Sequence, residues 1–238
     1  MVDRGLAPTR SRARDAIVRG FVSVGGAPVV KAGQLVDPAA PLDLAEGAGT
    51  EYVSRGALKL EAALAAFGFS CDGVTALDIG ASTGGFTDIL LRQGVAQVYA
   101  VDVGRDQLHT SLASDPRVVS LEGRDARDLT SAEIPEPVTA VVIDVSFISL
   151  LKVLPSALKF AAPAAFLVAL VKPQFEVGHE YVGRGGIVRD VVARQAALDR
   201  VVQALDNVPG WRVTGRIESP IAGGSGNVEY LVGARFDG

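Results

Sequence analysis

From Val74 onward, apolar runs alternate with amphipathic stretches. "VTALDIG" predicts a strand that ends in a glycine loop, and "GGFTDILLRQG" predicts a helix. "QVYAVDVG" and part of "RVVSLEGRDARD" predict a second and a third strand. "VTAVVIDVSF" predicts a fourth, followed by a helix around "LLKVLPSALKFAA". "AFLVALVKP" predicts a fifth strand and "VRDVVARQAALDRVVQAL" a long amphipathic helix. "WRVTGRIESPI" and "NVEYLVGARF" predict two closing strands. Near-continuous apolar strands separated by helices imply a parallel sheet covered on both faces. The expected fold class is therefore α/β, mostly parallel, with an antiparallel element at its close.

The start of the chain reads differently. "PTRSRARDAIVRG" predicts a helix capped by Thr9 or Ser11 and followed by Gly20. "FVSVGGAPVVKAGQLV" predicts short strands around a Gly-Gly turn, and the turn-rich "DPAAPLDLAEGAGTE" closes the unit. From Ser54, "SRGALKLEAALAAFG" predicts a helix with Leu58, Leu64 and Phe67 among its core positions. The expected organisation is a small α/β domain over 1–46, a linker over 47–53 and a large domain over 54–238.

Composition narrows the class. The chain has 238 residues, 48% hydrophobic and 21% charged, as expected of a soluble protein with a sizeable core. The longest apolar stretch, 160–171, is shorter than the roughly 20 residues that cross a bilayer. A single cysteine, Cys71, excludes an internal disulfide and fits a reducing cytoplasm. With two histidines and one cysteine, no dedicated zinc site is expected. Net charge is −4, yet residues 1–31 carry six basic side chains (Arg4, Arg10, Arg12, Arg14, Arg19, Lys31) against two acidic ones. A basic head on an acidic body suits contact with a polyanion, although a solvated helix face would look the same.

Candidate chemistry gathers at the predicted strand ends. "ALDIGASTGGFTDILL" is a strand, a glycine-rich turn and a helix, in which glycines admit a ligand close to the backbone. Gly80 is followed by Gly84 and Gly85, which departs from the dinucleotide pattern and disfavours a dinucleotide-dependent oxidoreductase. Asp78 precedes the loop. Asp102 ends the second strand, 22 residues after Gly80, where a ribose-binding acid is expected. Asp125 follows the third strand and Asp144 ends the fourth. In an open parallel sheet these four carboxylates would line one crevice, though each alone reads equally as a turn former or cap. The series is similar to that of class I methyltransferases that use S-adenosylmethionine, whose amino group, ribose and adenine amine all donate to carboxylates. Gly80, Ser82, Gly84, Gly85, Phe86 and the four acids are the candidate cofactor residues.

"YVSRGALKL" (52–60), "LDIGASTGGFTD" (77–88), "IDVSFISL" (143–150), "LVKPQFEVG" (170–178) and "GNVEYL" (226–231) together resemble the TlyA family. These are ribosomal RNA cytidine 2′-O-methyltransferases that also carry hemolysin labels. The resemblance covers nearly the whole chain. It implies an FtsJ-like catalytic domain of the Rossmann-like class I methyltransferase fold, with seven strands. It also implies an N-terminal RNA-binding domain like that of ribosomal protein S4, S-adenosylmethionine as cofactor, and a catalytic tetrad falling on Lys59, Asp144, Lys172 and Glu229. A ribose 2′-hydroxyl is a poor nucleophile and needs a base. Burial and a neighbouring cation lower a lysine pKa from about 10.4, so Lys172 is the expected base. Lys59 and Glu229 would position the hydroxyl, and Asp144 would hold Lys172. Taken singly, Lys172 and Lys59 read as solvated surface residues and Glu229 as the water-facing residue of its strand. Phe147 and Phe175 suit a place near the cofactor, a base-stacking role or the core. The glycine loops "VGRGG" (182–186) and "GGSGN" (223–227) would border the substrate cleft, with Arg55, Arg184 and Arg189 as phosphate contacts.

Three departures from the family pattern bear on RNA binding, the linker and the adenine contact. The family's basic domain begins several residues earlier, with an Arg-Leu-Asp motif absent from "MVDRGLA". Tyr52 stands where the linker usually has Trp, and Asp125 where Asn is expected. The short C-terminus favours 23S over 16S RNA as target, or both. The expected partners are ribosomal RNA and ribosomal subunits, with no membrane. Competing functions are a membrane-active cytolysin and a non-catalytic RNA-binding factor in ribosome assembly. The absence of a signal peptide and a long apolar span disfavours the first, and the complete tetrad disfavours the second.

Overall fold

The computed structural model describes residues 1–7, 10–18, 20–29, 31–44, 52–223 and 226–238, with the side chains at 11, 12, 15 and 18 excepted. The candidate Arg19, the Arg12 side chain and linker residues 47–51 lie outside them. The chain divides into two compact units, Met1–Arg55 and Gly56–Gly238.

In the first unit, helix α1 (Arg10–Val18) precedes strands β1 (Val22–Val24) and β2 (Ala27–Pro28), which pair antiparallel across the Gly25-Gly26 turn. A third strand, β3 (Leu42–Leu44), pairs antiparallel with β1 on its other side. The turn-rich reading of "DPAAPLDL" missed β3. Three residues flanked by prolines and aspartates carry almost no local strand signal, and the pairing partner lies about twenty residues away. Ala16, Val22 and Val29 form a small core with Ile17, Leu42 and Leu44 packed against it.

The second unit is the predicted α/β domain. It comprises α2 (Gly56–Phe67), β4 (Thr75–Ile79), α3 (Gly85–Arg92), β5 (Gln97–Asp102), α4 (Thr110–Ala113), β6 (Val118–Glu122), β7 (Val138–Ile143), α5 (Leu154–Leu158), β8 (Ala161–Val171), α6 (Pro173–Glu176), α7 (Val191–Asp206), β9 (Trp211–Glu218) and β10 (Tyr230–Phe236). The sheet order is β6-β5-β4-β7-β8-β10-β9. β4, β5, β6, β7 and β8 run parallel, and β10 pairs antiparallel with both β8 and β9. The order reverses direction between β4 and β7, which opens a crevice at their carboxyl ends.

The apolar runs are apolar because both faces of the sheet are covered. Val141, Val142, Ile143, Leu167, Val168 and Ala169 are all fully buried. Each such valine, leucine or isoleucine side chain contributes about 1.5–3 kcal/mol relative to exposure, which is why these strands admit no alternating polar residues. On α2 the buried positions are Ala57, Lys59, Leu60, Ala63 and Leu64. Leu64 is thus buried as expected, whereas Leu58 and Phe67 are half-buried. Phe67 lies over Gly233 of β10, where any Cβ would collide with its ring.

Candidate active site

The strand ends are aligned by register. Ile79 pairs with Val101 on one side and Ile143 on the other, and Asp102 pairs with Glu122. Gly80 and Asp144 therefore each stand one residue beyond the same rung. Gly80 has φ +83°, and a Cβ there would collide with the Asp144 carbonyl oxygen. Glycine is required because two backbones meet closely in a left-handed conformation.

A cavity of about 580 Å³ opens at this point, lined by Gly80, Ser82, Asp102, Asp125 and Asp144 among others. Asp102 uses both oxygens locally. Its Oδ2 accepts from the Ser82 N–H at 2.8 Å, and its Oδ1 accepts from the Gly104 N–H at 2.7 Å. Asp125 caps the turn at 126–128 and pairs with the Arg127 guanidinium at 2.6 Å. That pair holds the Asp125 carboxyl below its ordinary range, and Arg127 also faces the cavity.

Of the four acids expected around one crevice, three line it and Asp78 does not. Asp78 is fully buried, along with Phe86 on α3 at 2% exposure. Gly84 and Gly85 also lie off the cavity wall. The Thr87 hydroxyl donates to Asp78 Oδ2 at 2.6 Å, while Oδ1 has no hydrogen-bond partner. Burial pushes the Asp78 carboxyl up to about 7, opposed by the Thr87 bond and reinforced by Asp144 and Asp102. A carboxyl so far from water favours its neutral form.

Two lysine–carboxylate pairs flank the end of the β8–β10 ladder. Tyr230 pairs with Val171 as the last rung. Glu229 and Lys172 are the next residues outward on their two strands. Lys59 Nζ lies 2.6 Å from Glu229 Oε2, with the two side chains only 10% and 3% exposed. The solvated reading of Lys59 fails because this face of α2 packs onto the sheet. Lys172 Nζ lies 2.6 Å from Asp144 Oδ1 and donates to the Ser146 hydroxyl at 2.8 Å. Pro173 starts α6 directly after Lys172, so the strand stops with its lysine turned to partners on the neighbouring strand end.

Further side chains complete the surroundings of the cavity and the lysine pairs. Ser146 touches Lys172 from 26 positions away. Gln107 accepts from the Ser82 hydroxyl at 3.3 Å and lines the cavity. Asn227 is 1% exposed. Its Oδ1 accepts from the Val188 N–H at 2.9 Å and its Nδ2 donates to the Gly186 carbonyl at 2.8 Å, tying the 183–188 loop to the segment that carries Glu229 just before β10. Phe147, also on the cavity wall, is 91% exposed at φ +65° and meets Phe175 with ring centroids 5.3 Å apart.

The basic candidates fall in different surroundings. Within the first unit, Arg10, Arg14 and Lys31 line a cavity of about 380 Å³ floored by Ile17, Val22 and Val29. Arg4 donates to the carbonyls of Pro38 and Ala40. Arg55 lies against Gly20. In the second unit, Arg184 and Arg189 are exposed. Among the described residues no helix is long and apolar enough to cross a membrane, and no cluster of His, Cys, Asp and Glu could hold a metal ion.

Comparison with known proteins places this geometry. The FtsJ-like methyltransferase family model matches residues 52–236. The 16S/23S rRNA (cytidine-2′-O)-methyltransferase TlyA of Mycobacterium tuberculosis is 46% identical over 235 residues, which is 99% of this chain and 87% of that protein. A Streptococcus thermophilus protein of known structure, which carries a hemolysin name, is 41% identical and matches with a TM-score of 0.78 over 98% of this chain and 85% of its own. The N-methyltransferase NodS of Bradyrhizobium japonicum is 15% identical, with a TM-score of 0.52 over 77% of this chain and 95% of its own, and shares the fold alone. With that identity along nearly its whole length, the chain belongs to the TlyA family of FtsJ-like methyltransferases.

Proposed function

We propose that this chain transfers a methyl group from S-adenosylmethionine to the ribose 2′-hydroxyl of a cytidine in ribosomal RNA, with 23S RNA as the expected target. The observation that carries the reading is the pairing of Lys172 with Asp144, which itself lines the cavity. The cavity's volume is within the range of small-molecule sites. Its acceptors suit the cofactor: the Asp102 carboxylate sits where ribose hydroxyls donate, and Asp144 offers negative charge toward a sulfonium. When bound, the cofactor supplies an electrophilic methyl group.

The chain's own residues then have distinct tasks. Acting as the neutral amine, with its two N–H bonds directed to Asp144 and Ser146, Lys172 takes the ribose proton on the free lone pair of Nζ as the oxygen attacks in line, and positioning contributes much of the rate. Asp144 and Ser146 hold Lys172 in place. The buried Lys59–Glu229 pair, in contact at 2.6 Å, positions the hydroxyl. The N-terminal unit acts as an S4-like RNA-binding domain through Arg10, Arg14 and Lys31, with Arg184 and Arg189 as phosphate contacts on the large unit. These roles fit a protein that works on ribosomal subunits in the cytoplasm.

Pure protein incubated with tritiated S-adenosylmethionine and each ribosomal subunit tests the reading, with the labelled ribose then mapped. Transfer to a cytidine 2′-oxygen supports it, and the two subunit arms decide between 23S and 16S RNA. No transfer to either subunit or to whole ribosomes refutes it. The hemolysin name on the streptococcal relative motivates one control, in which dye release from liposomes by the pure protein would point to membrane activity.

A further inference from the structure

Glu176 ends α6, four residues after Lys172. Its Oε2 accepts from the Ser149 hydroxyl at 2.6 Å, and its Oε1 accepts from the Leu150 backbone N–H at 2.7 Å. Ser149 and Leu150 close the segment that leaves β7 through Asp144, Ser146 and Phe147. The β7–β8 ladder has already ended at Ile143 and Ala169, so strand pairing does not fix these two segments against each other. Among the described residues, the hydrogen bonds and ion pairs that cross between 144–150 and 172–176 are those of Lys172 and Glu176. Two donors on successive residues, an O–H and an N–H, match the two oxygens of one carboxylate. A guanidinium N–H of Arg200 on α7 donates to the Glu176 carbonyl, which fastens the same residue from behind. Burial pushes the Glu176 carboxyl up, and the Ser149 and Leu150 bonds oppose that shift. The two hydrogen bonds occupy both carboxyl oxygens.

We propose that Glu176 is a positioning residue for methyl transfer: its carboxylate locks the segment bearing Asp144, Ser146 and Phe147 to the segment bearing Lys172 and Phe175. The proposal rests on the reading of Lys172 as the base. Glu176 touches none of the reacting atoms. It acts through the Lys172–Asp144 distance and the Phe147–Phe175 contact.

The test compares Glu176→Ala, Glu176→Gln and Ser149→Ala in the full chain, with ribosomal subunits and S-adenosylmethionine as substrates and Lys172→Ala as control. Glu176→Ala is expected to lower kcat on the order of 100-fold, the loss typical of a misplacement of about 1 Å. Its cofactor Kd should stay within about threefold, and the limb of the kcat–pH profile that reports the base should move. Glu176→Gln should recover most of the loss, because its amide accepts from the Leu150 N–H and donates to the Ser149 hydroxyl. Ser149→Ala removes one of the two ties, together with the hydroxyl's cap on the Leu151 N–H, and should lower kcat on the order of tenfold with only a small fall in Tm; this variant decides the matter if Glu176→Ala does not fold. Wild-type kcat in Glu176→Ala or Ser149→Ala overturns the proposal. So does a loss in both alanine variants that merely follows the fraction of folded protein, with cofactor affinity falling in step. If Lys172→Ala itself keeps wild-type turnover, the base reading has failed, whatever Glu176 does.

Discussion

The Lys59 ammonium lies 2.6 Å from the Glu229 carboxylate although 170 residues separate them in sequence, and both are buried. Removing one partner strands a buried charge, which typically costs about 3–5 kcal/mol, whereas apolar residues of similar size at both positions are often neutral or stabilising. Lys59→Met and Glu229→Leu are each expected to lower the urea midpoint sharply. The double variant should recover most of it and remain inactive. A double variant no more stable than either single one would show that the pair is not what holds α2 to β10.

Lys172 gives the most direct test of chemistry. Lys172→Ala is expected to lower kcat by about 10²- to 10⁴-fold, the usual contribution of a positioned base. Lys172→Arg should be as inactive, since a guanidinium stays protonated. Calorimetric titration should show cofactor binding within a few-fold of wild type in both. Near-wild-type turnover in either variant would rule Lys172 out.

Asp78 predicts a pH dependence of stability. Its carboxyl titrates at about 7 in the folded protein, above its ordinary 3.8. The folded state therefore binds the extra proton between those values, and this residue's contribution to stability falls as pH rises from about 4 to about 7. Asp78→Asn cannot ionise. The Tm of the variant minus that of wild type is expected to grow between pH 5 and pH 8. A difference that stays flat over this range would mean that Asp78 is ionised throughout.

Phe147 holds an exposed ring on a left-handed backbone at the cavity wall. Stacking of a base on an aromatic ring contributes about 1–3 kcal/mol. Phe147→Ala is expected to raise KM for the RNA on the order of tenfold or more, leaving cofactor Kd and Tm unchanged. A fall in Tm with unchanged KM would make the ring structural instead.

The sheet was readable because buried parallel strands are nearly all apolar, and the glycine loop because Gly80 must fit beneath the Asp144 carbonyl. The acids at the strand ends were readable as a series. What each does was not. Asp78 is level with Ala100 and Val142, two residues nearer the sheet interior than Asp102 and Asp144, and lies off the cavity wall. Asp125 pairs with Arg127, two residues away, in a contact that "RDARD" permits without specifying. Ser146, Asn227 and Gln107 act across 25 to 41 positions, and such pairings leave no periodic trace in sequence. β3 was invisible for the same reason.

β10 joins two strands of the sheet that do not pair with each other. This strand follows β9 in sequence but lies inside the sheet, between β8 and β9. Among the described residues β9 pairs with β10 alone, so β9 is attached to the sheet through β10. The same strand sets Tyr230 against Val171 beside Lys172, and Glu229 directly before it meets Lys59. Loss of β10 pairing would therefore detach β9 and remove the carboxylate partner of Lys59 together.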